Sequence, residues 1–387
     1  MIYVKPDFYE NFHCLAGKCP DTCCAGWQIA IDEDSLERYA RVKGPLGRLL
    51  ERSIDWEEGV FRQDCGHCSL LTEDKLCGLY PELGEESLCA ACREYPRHVE
   101  EYPGRRELSL GLSCPETARL LALNGKRLSF EEYETAEEEE LLEEFEEFDY
   151  ELFSVLKEAE NTIFRILQDG SVSLYRRMDE VLSLAGELQN CLDHGHEGEM
   201  GEVVRGAEEL FFTQRTNRTE DDTARLPGIK ESRYAKMRRL FNVFRHMEPL
   251  REEWPDILQE TWDTLYENGE ETYMGLCRDF QDACRKTGET EWDLAAENFA
   301  VYFAYIYICG AVYDGWIYSK AALAVFFVCW IRELTMARWA LHCGGNPETA
   351  GGILRICAEM AYRLTREAEH SDQNLDTMEE WLQEHKF

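Results

Sequence analysis

The chain has 387 residues, 44% of them hydrophobic and 30% charged, with a formal net charge of −36 at pH 7. It can bury a sizeable core in two or three domains, and its acidity repels phosphate backbones and anionic membrane surfaces, which argues against nucleic acid and membrane as partners. The charge is uneven: 16 basic against 22 acidic side chains through residue 127, then 25 against 55, so nets of −6 and −30. Such a field tolerates a lysine-rich polypeptide, with solubility alone as the competing use.

Residues 1–127 alternate cysteines with turn formers such as Gly17, Pro20, Gly26, Gly66, Pro81 and Gly84. The spacing predicts a helix over Asp34–Leu50, interrupted at Gly44-Pro45, and another after Cys114-Pro115, where proline suits the first turn. Residues 131–151 hold thirteen acidic side chains. Leu141, Phe145, Phe148, Leu152 and Leu156 nevertheless recur at steps of three and four, which predicts an amphipathic helix continuing through Ile163 and Ile166 towards Gly170. Its glutamates, Glu137–Glu140 among them, form a solvated face that would steer a cationic partner. A further helix is expected over Ser173–Leu192, a loop-rich or mobile connection over 194–232, and helices from Tyr234 onwards with loops at Glu267–Glu271, Gly310–Ser319 and Gly344–Gly351. The uncharged runs Asn298–Tyr313 and Ala321–Ile331 fall short of the about 20 residues a spanning helix needs and read as core helices. The fold expected is therefore mainly α: an irregular cysteine-rich metal-cluster domain over 1–127, packed on an acidic, all-α domain over 128–387.

Ten of the seventeen cysteines lie in the first third, as Cys14, Cys19, Cys23-Cys24, Cys65-x-x-Cys68, Cys77, Cys89-x-x-Cys92 and Cys114. Short spacings let one turn present two sulfurs to one centre, so this pattern points to a soft metal or an iron–sulfur cluster. A disulfide framework competes, but it needs an oxidising compartment. The start Met1-Ile-Tyr-Val-Lys-Pro lacks a basic segment followed by an apolar one, so a reduced, cytoplasmic chain is expected. Adjacent Cys23 and Cys24 could pair with each other only through strain. The core of the site is expected at Cys19, Cys23, Cys68 and Cys77, followed by Cys89, Cys92 and Cys24. Cys191, Cys277, Cys284, Cys309, Cys329, Cys343 and Cys357 have no ligand spacing and are expected to pack as small hydrophobes. His13, His67 and His98 lie near cysteines and are read as surface groups before ligands.

No strand-Gly-x-Gly-x-x-Gly-helix unit and no Gly-x-x-x-x-Gly-Lys-Ser/Thr occurs, which removes two common nucleotide-binding designs. Cys19-x3-Cys23-Cys24 also departs from the Cys-x3-Cys-x2-Cys of radical S-adenosylmethionine enzymes.

The run Phe12-His-Cys14-Leu-Ala-Gly-Lys-Cys19-Pro-Asp-Thr-Cys23-Cys24-Ala-Gly-Trp27-Gln-Ile-Ala-Ile-Asp32, with Cys68 to Tyr80 and Cys92-Arg-Glu-Tyr-Pro-Arg97, resembles the flagellin lysine N-methylase family, within the wider group of zinc- or iron-chelating cysteine domains. The likeness is carried by residues 8 to about 115. In the helical part it rests on general features such as Glu297-Asn-Phe-Ala-Val-Tyr. The resemblance implies methyl transfer from S-adenosylmethionine to flagellin lysines, with a cysteine-bound cluster of [4Fe–4S] type taking part.

Beside it stands the chemistry of the residues. A lysine must lose its proton before attacking a methyl sulfonium, and an apolar or aromatic cavity favours the neutral amine. Tyr302, Tyr305, Tyr307 and Tyr313 could line such a cavity with Asp314 at its rim, against the plainer reading of helical core with hydroxyls reaching the surface. Arg93 and Arg97 could bind the donor's carboxylate or neutralise an anionic cluster, with structural ion pairs as the alternative. No residue stands out as the base. Two rival functions remain: a structural zinc-binding interaction module, and a redox or electron-transfer iron–sulfur protein.

Overall fold

The computed structural model describes residues 1–136, 145, 147–214, 232–343 and 350–385. The chain is mainly helical, as expected. Its one larger sheet has four strands in the order Arg97–Tyr102, Arg105–Leu110, Ile2–Pro6, Phe130–Glu134. The first two form a hairpin whose two-residue turn places Gly104 at φ 70°, a conformation that costs glycine nothing. Ile2–Pro6 runs parallel to Arg105–Leu110 and antiparallel to Phe130–Glu134.

The last strand corrects two expectations. The acidic stretch begins as a strand and not as a helix, so the part after residue 128 is not all-α. Long-range pairing overrides local pattern there: Arg105 binds Glu132 (3.0 Å), Lys5 lies 3.8 Å from Glu131, and Tyr3 stacks on Tyr133. The amphipathic helix starts later, at Tyr150–Leu167, capped by Asp149, which accepts the Leu152 N–H. Leu152, Leu156, Ile163 and Ile166 form its buried stripe. Glu137–Glu140 and Leu141 lie outside the described residues.

Elsewhere most helices follow the pattern. However, the expected loop Gly310–Ser319 holds the short helix Ala311–Asp314 and the start of Ile317–Cys343, and the expected loop Glu267–Glu271 is helical from Gly269. Of the expected loop Gly344–Gly351, 344–349 lie outside the described residues. Gly44-Pro45 divides the first prediction into Glu33–Arg41 and Gly44–Ser53, with proline inside the first turn of the second helix. Pro115–Ala122 and Leu174–Asp193 form where expected. Met200–Gln214, inside the stretch expected to be loop-rich, is a helix that buries Met200, Val204 and Phe211 on one face. Two helices organise the remainder, Gly269–Tyr307 and Ile317–Cys343. Ala321 to Ile331 is buried on every side, the pattern of a central helix, and it packs against Leu174–Asp193, Gly269–Tyr307, Ala350–Glu369 and Asp372–His385. The segment Glu291–Asp314 is long and apolar enough to cross a membrane, but 72% of its most apolar window is buried inside the protein. That burial fits a core helix.

Among the described residues there are two hydrophobic cores. The large one joins the helices to Val4, Phe8, Phe12, Tyr102, Leu110 and the helix Pro115–Ala122. The small one gathers Ile29, Ile31, Tyr39, Leu50, Ile54, Phe61, Leu70 and Leu79 together with Cys68 and Cys89.

Two tyrosines fasten sheet to helix. Tyr302 is fully buried; its hydroxyl accepts the Leu110 N–H (2.7 Å) and donates to the Leu110 carbonyl (2.8 Å). The Tyr305 hydroxyl lies 3.1 Å from the Val4 carbonyl and 3.0 Å from that of Leu108. Tyr302→Phe strands a buried N–H and should destabilise the fold by about 1–3 kcal/mol. Urea unfolding checks this. An unchanged midpoint, with weakened binding of a lysine peptide, would return Tyr302 to the role of cavity lining.

Candidate site: two thiol groups at the domain junction

Asp32 organises the first group. Its carboxylate caps the helix Glu33–Arg41 by accepting the Ser35 N–H (2.9 Å), and its other oxygen accepts the Ala90 N–H (2.8 Å) at the start of Ala90–Glu94. Tyr39 donates to the Ser87 carbonyl (2.7 Å). Cys89 and Cys92 are thereby held against the small core. Cys68 sits in the short ladder with Gln63–Asp64 and donates its N–H to the Cys24 carbonyl (2.7 Å). A bridge between Leu71 and Cys77 folds the next turn back on it. Cys65 is exposed in the ladder's turn.

Electrostatics shows which thiols face one another. Burial pushes Cys68 up to about 12, with Cys24, Cys77 and Cys89 adding to the rise. Cys77 is raised by burial and by Cys24 and Cys89. The Cys92 thiol donates to Cys89, which holds Cys89 down to about 7 and pushes Cys92 up; Cys24 and Cys77 push it further. Electrostatic coupling thus links Cys24, Cys68, Cys77, Cys89 and Cys92.

Cys23 and Cys24 share a hydrogen bond that lowers Cys24 to about 7 and raises Cys23, yet the two face different neighbours. Besides Cys24, Cys23 feels Cys14 and Cys114, and Cys19 likewise feels Cys114 and Cys14. Cys19 and Cys23, expected beside Cys68 and Cys77, thus fall in a second group with Cys14 and Cys114. Among the described residues, no three His, Cys, Asp or Glu side chains close on one point as a preformed metal site. In donor chemistry the first group fits a thiolate-bound cluster or zinc, since five sulfurs supply more than the four such centres take.

The other expected site residues lie apart. Arg93 pairs with its neighbour Glu94 (3.6 Å), and Arg97 lies over the Phe12 ring (5.3 Å). Asp314 pairs with Lys320 (2.9 Å) and accepts the Trp316 N–H. Tyr302 and Tyr305 direct their hydroxyls to buried strands and not to the surface. The Tyr307 hydroxyl donates to Glu369 (2.6 Å), and Tyr313, exposed, donates to the Glu101 carbonyl (2.6 Å). His13, His67 and His98 are exposed. Cys191, Cys277, Cys284, Cys309, Cys329 and Cys357 are buried; the surroundings of Cys343 lie outside the described residues.

Two arginines, Arg366 and Arg251, bind the segment between Cys19 and Cys23. Arg366, on Ala350–Glu369 and 1% exposed, binds Asp21 (2.7 Å) and donates to the Ser113 carbonyl (3.1 Å). Arg251 binds the other Asp21 oxygen (3.1 Å) and reaches the Thr22 carbonyl (3.4 Å). Beside them Trp27, Tyr95 and His370 form an aromatic cluster, and Tyr95 shares a hydrogen bond with Ser113 (3.1 Å). Sequence reasoning missed Asp21, Arg251, Arg366 and His370. Arg366 and His370 fall in Thr365-Arg-Glu-Ala-Glu-His370, which reads as a solvated helix end; only convergence in space marks them.

His370 is half-buried, with both ring nitrogens buried and neither with a hydrogen-bond partner among the described residues. Burial, then Arg366 and Arg251, lower it to about 3 from an ordinary 6.5. Between those values the unfolded chain binds a proton that the folded chain refuses, so this contribution to stability is lost as pH falls from 6.5 towards 3. Glu367 and Glu369, raised by burial to about 7, act in the opposite sense between about 4.5 and 7. They are common to wild type and His370→Gln. Urea unfolding at pH 7 and pH 5 should therefore show a smaller acid-side loss in the variant, and equal losses would contradict the neutral-histidine assignment.

The fold and the site together describe a mainly helical protein with a thiol-rich unit seated against its helices. Residues 160–387, more than half of the chain, match the family model of the FliB lysine N-methylase C-terminal domain, and the chain belongs to that family. It is similar to the flagellar biosynthetic protein FliU of Salmonella muenchen, 32% identical over 127 residues, covering 30% of this chain and 75% of that protein. It is also similar to the lysine-N-methylases of Salmonella choleraesuis and Salmonella typhimurium, each 31% identical over 148 residues, covering 34% of this chain. The chain spans 37% of the length of those two methylases. No solved structure matches.

Proposed function

We propose that the protein is a cytoplasmic lysine N-methyltransferase that takes its methyl group from S-adenosylmethionine and acts on flagellin. Family membership over residues 160–387 carries the reading, supported by relatives named lysine-N-methylase and flagellar biosynthetic protein. The first thiol group would hold the cofactor in a distinct cysteine-rich domain, a [4Fe–4S] cluster on four of Cys24, Cys68, Cys77, Cys89 and Cys92, with zinc as the alternative. Bound there, a cluster would supply an iron centre able to polarise a ligand or exchange one electron.

In the transfer, the neutral lysine nitrogen attacks the sulfonium methyl carbon. A C–N bond forms, the C–S bond breaks, and the electron pair leaves on sulfur as the thioether. The lysine proton must go first, and a desolvated position favours its loss. The −30 net charge beyond residue 127 suits the approach of a cationic lysine segment.

The test is incubation of anaerobically purified protein with methyl-labelled S-adenosylmethionine and flagellin, read by mass spectrometry. Label on lysine, dependent on the protein, is expected. Metal-replete protein that leaves lysines unlabelled would overturn the reading; stoichiometric zinc without transfer would then favour a structural module, and reversible reduction without transfer an electron carrier.

A further inference from the structure

The segment that leads into the helix Tyr150–Leu167 reads Glu147-Phe-Asp-Tyr-Glu151, carboxylates alternating with aromatic rings. We propose that the aromatic patch built on this segment and on Tyr313 is the surface on which the lysine-bearing segment of the protein substrate docks, a role that rests on the methyltransferase reading above.

The patch is a fixed platform. Phe148 lies between the two outer rings, its centroid 5.1 Å from that of Tyr150 and 6.0 Å from that of Tyr313, and it packs on Phe153 at 5.3 Å. Tyr102, 2% exposed, closes the circle from beneath, 4.6 Å from Phe153 and stacked on Tyr313 at 5.9 Å. The Tyr313 hydroxyl donates to the Glu101 carbonyl, which ties the ring to the edge strand Arg97–Tyr102, and Asp149 caps the helix beside Tyr150. Strand, helix and the short helix Ala311–Asp314 thus hold the platform in place. Its base is buried, but Tyr150 and Tyr313 are 59% and 53% exposed. Two large rings already in position gain from being covered and lose little conformational freedom when they are, the usual property of tyrosine anchors in interfaces.

Charge selects the occupant. Glu147, Asp149 and Glu151 are exposed, and none of them forms an ion pair among the described residues. The cations at the border are already engaged: Arg106 binds Glu101 (3.2 Å), and Lys320 binds Asp314 (2.9 Å) and Glu379 (2.8 Å). A lysine side chain laid here meets a ring face for its stem and ammonium and a carboxylate beside it, and the two attractions act together. The same carboxylates repel anionic lipid and nucleic acid, and a second copy of the chain would bring its own acids against them.

The test measures binding without S-adenosylmethionine, so that it does not depend on methyl transfer. The probes are monomeric flagellin and an oligolysine peptide, added to full-length protein. Wild type should bind both, and Tyr150→Ala/Tyr313→Ala should bind them about tenfold more weakly. Glu147→Gln/Glu151→Gln, which keeps the rings and the Asp149 cap, should also weaken binding and flatten its salt dependence, and it decides the matter if the tyrosine variant fails to fold. Glu57→Gln/Glu58→Gln, exposed beside the small core, should bind as wild type does. Wild-type affinity in both patch variants, an equal loss in the Glu57/Glu58 control, or a wild type that binds neither probe would overturn the docking surface. So would a wild-type dimer that the tyrosine variant dissociates in sedimentation, which would give the patch to a second copy. Weakened binding by both patch variants, with no methyl transfer by wild type, would support the surface and count against the transferase reading alone.

Discussion

Cys68→Ser or Cys77→Ser should strip the metal from the first thiol group, whereas Cys309→Ser and Cys357→Ser should leave metal content unchanged. Serine oxygen is a poor ligand for a soft cation. Cys68 and Cys77 are coupled electrostatically to Cys24 and Cys89 at the small core, whereas Cys309 directs its thiol to Glu160 (3.4 Å) and Cys357 is 1% exposed among helices. The small core contributes only a modest buried surface, so metal loss should also loosen residues 24–92 to protease while most of the helical signal survives. Metal analysis and limited proteolysis of the same samples read both effects. Full metal in the Cys68 variant with loss in the Cys309 variant would reverse the assignment.

Arg366→Met should destabilise the protein by about 3 kcal/mol. Removing one partner of a buried ion pair costs about 3–5 kcal/mol because the other charge stays behind, and Arg251 still reaches Asp21, which places the loss at the low end. Arg366→Lys keeps the charge but not the planar fork that spans Asp21 and Ser113, so it should fall between the two. Urea unfolding gives the ranking. Equal midpoints for all three proteins would mean that Arg366 does not hold the junction.

The helices were legible where one face supplies the signal. Leu152 to Ile166 recurs with a helical period, and proline marks the starts at Pro45 and Pro115. Phe130–Glu134 was not legible, because its pairing partner lies at the other end of the domain, in Ile2–Pro6, and acidic residues give no local strand pattern. Met200–Gln214 was obscured by the flanking Gly and His residues, which read as turn formers. At the site the spacing of the cysteines announced metal chemistry but not its partition. Cys23 and Cys24 are neighbours in sequence and face different groups, which depends on the backbone turn between them. The resemblance rested on residues 8 to about 115, yet the family model matches 160–387. Glu297 and Asn298, the features singled out in that half, serve the frame: Glu297 pairs with Arg177 (2.6 Å) and Arg127 (2.9 Å), and Asn298 accepts the Leu128 N–H (2.9 Å).

The most direct test of the central claim, that the thiol-rich unit and the helical body together make a lysine methyltransferase, is mass spectrometry of flagellin lysines after incubation with S-adenosylmethionine and either wild type or Cys68→Ser/Cys77→Ser, matched for helical content. Methyl-lysine with wild type and none with the variant is the predicted result. Equal methylation by both would contradict a role for the first thiol group in the reaction, and no methylation by metal-replete wild type would contradict the activity itself.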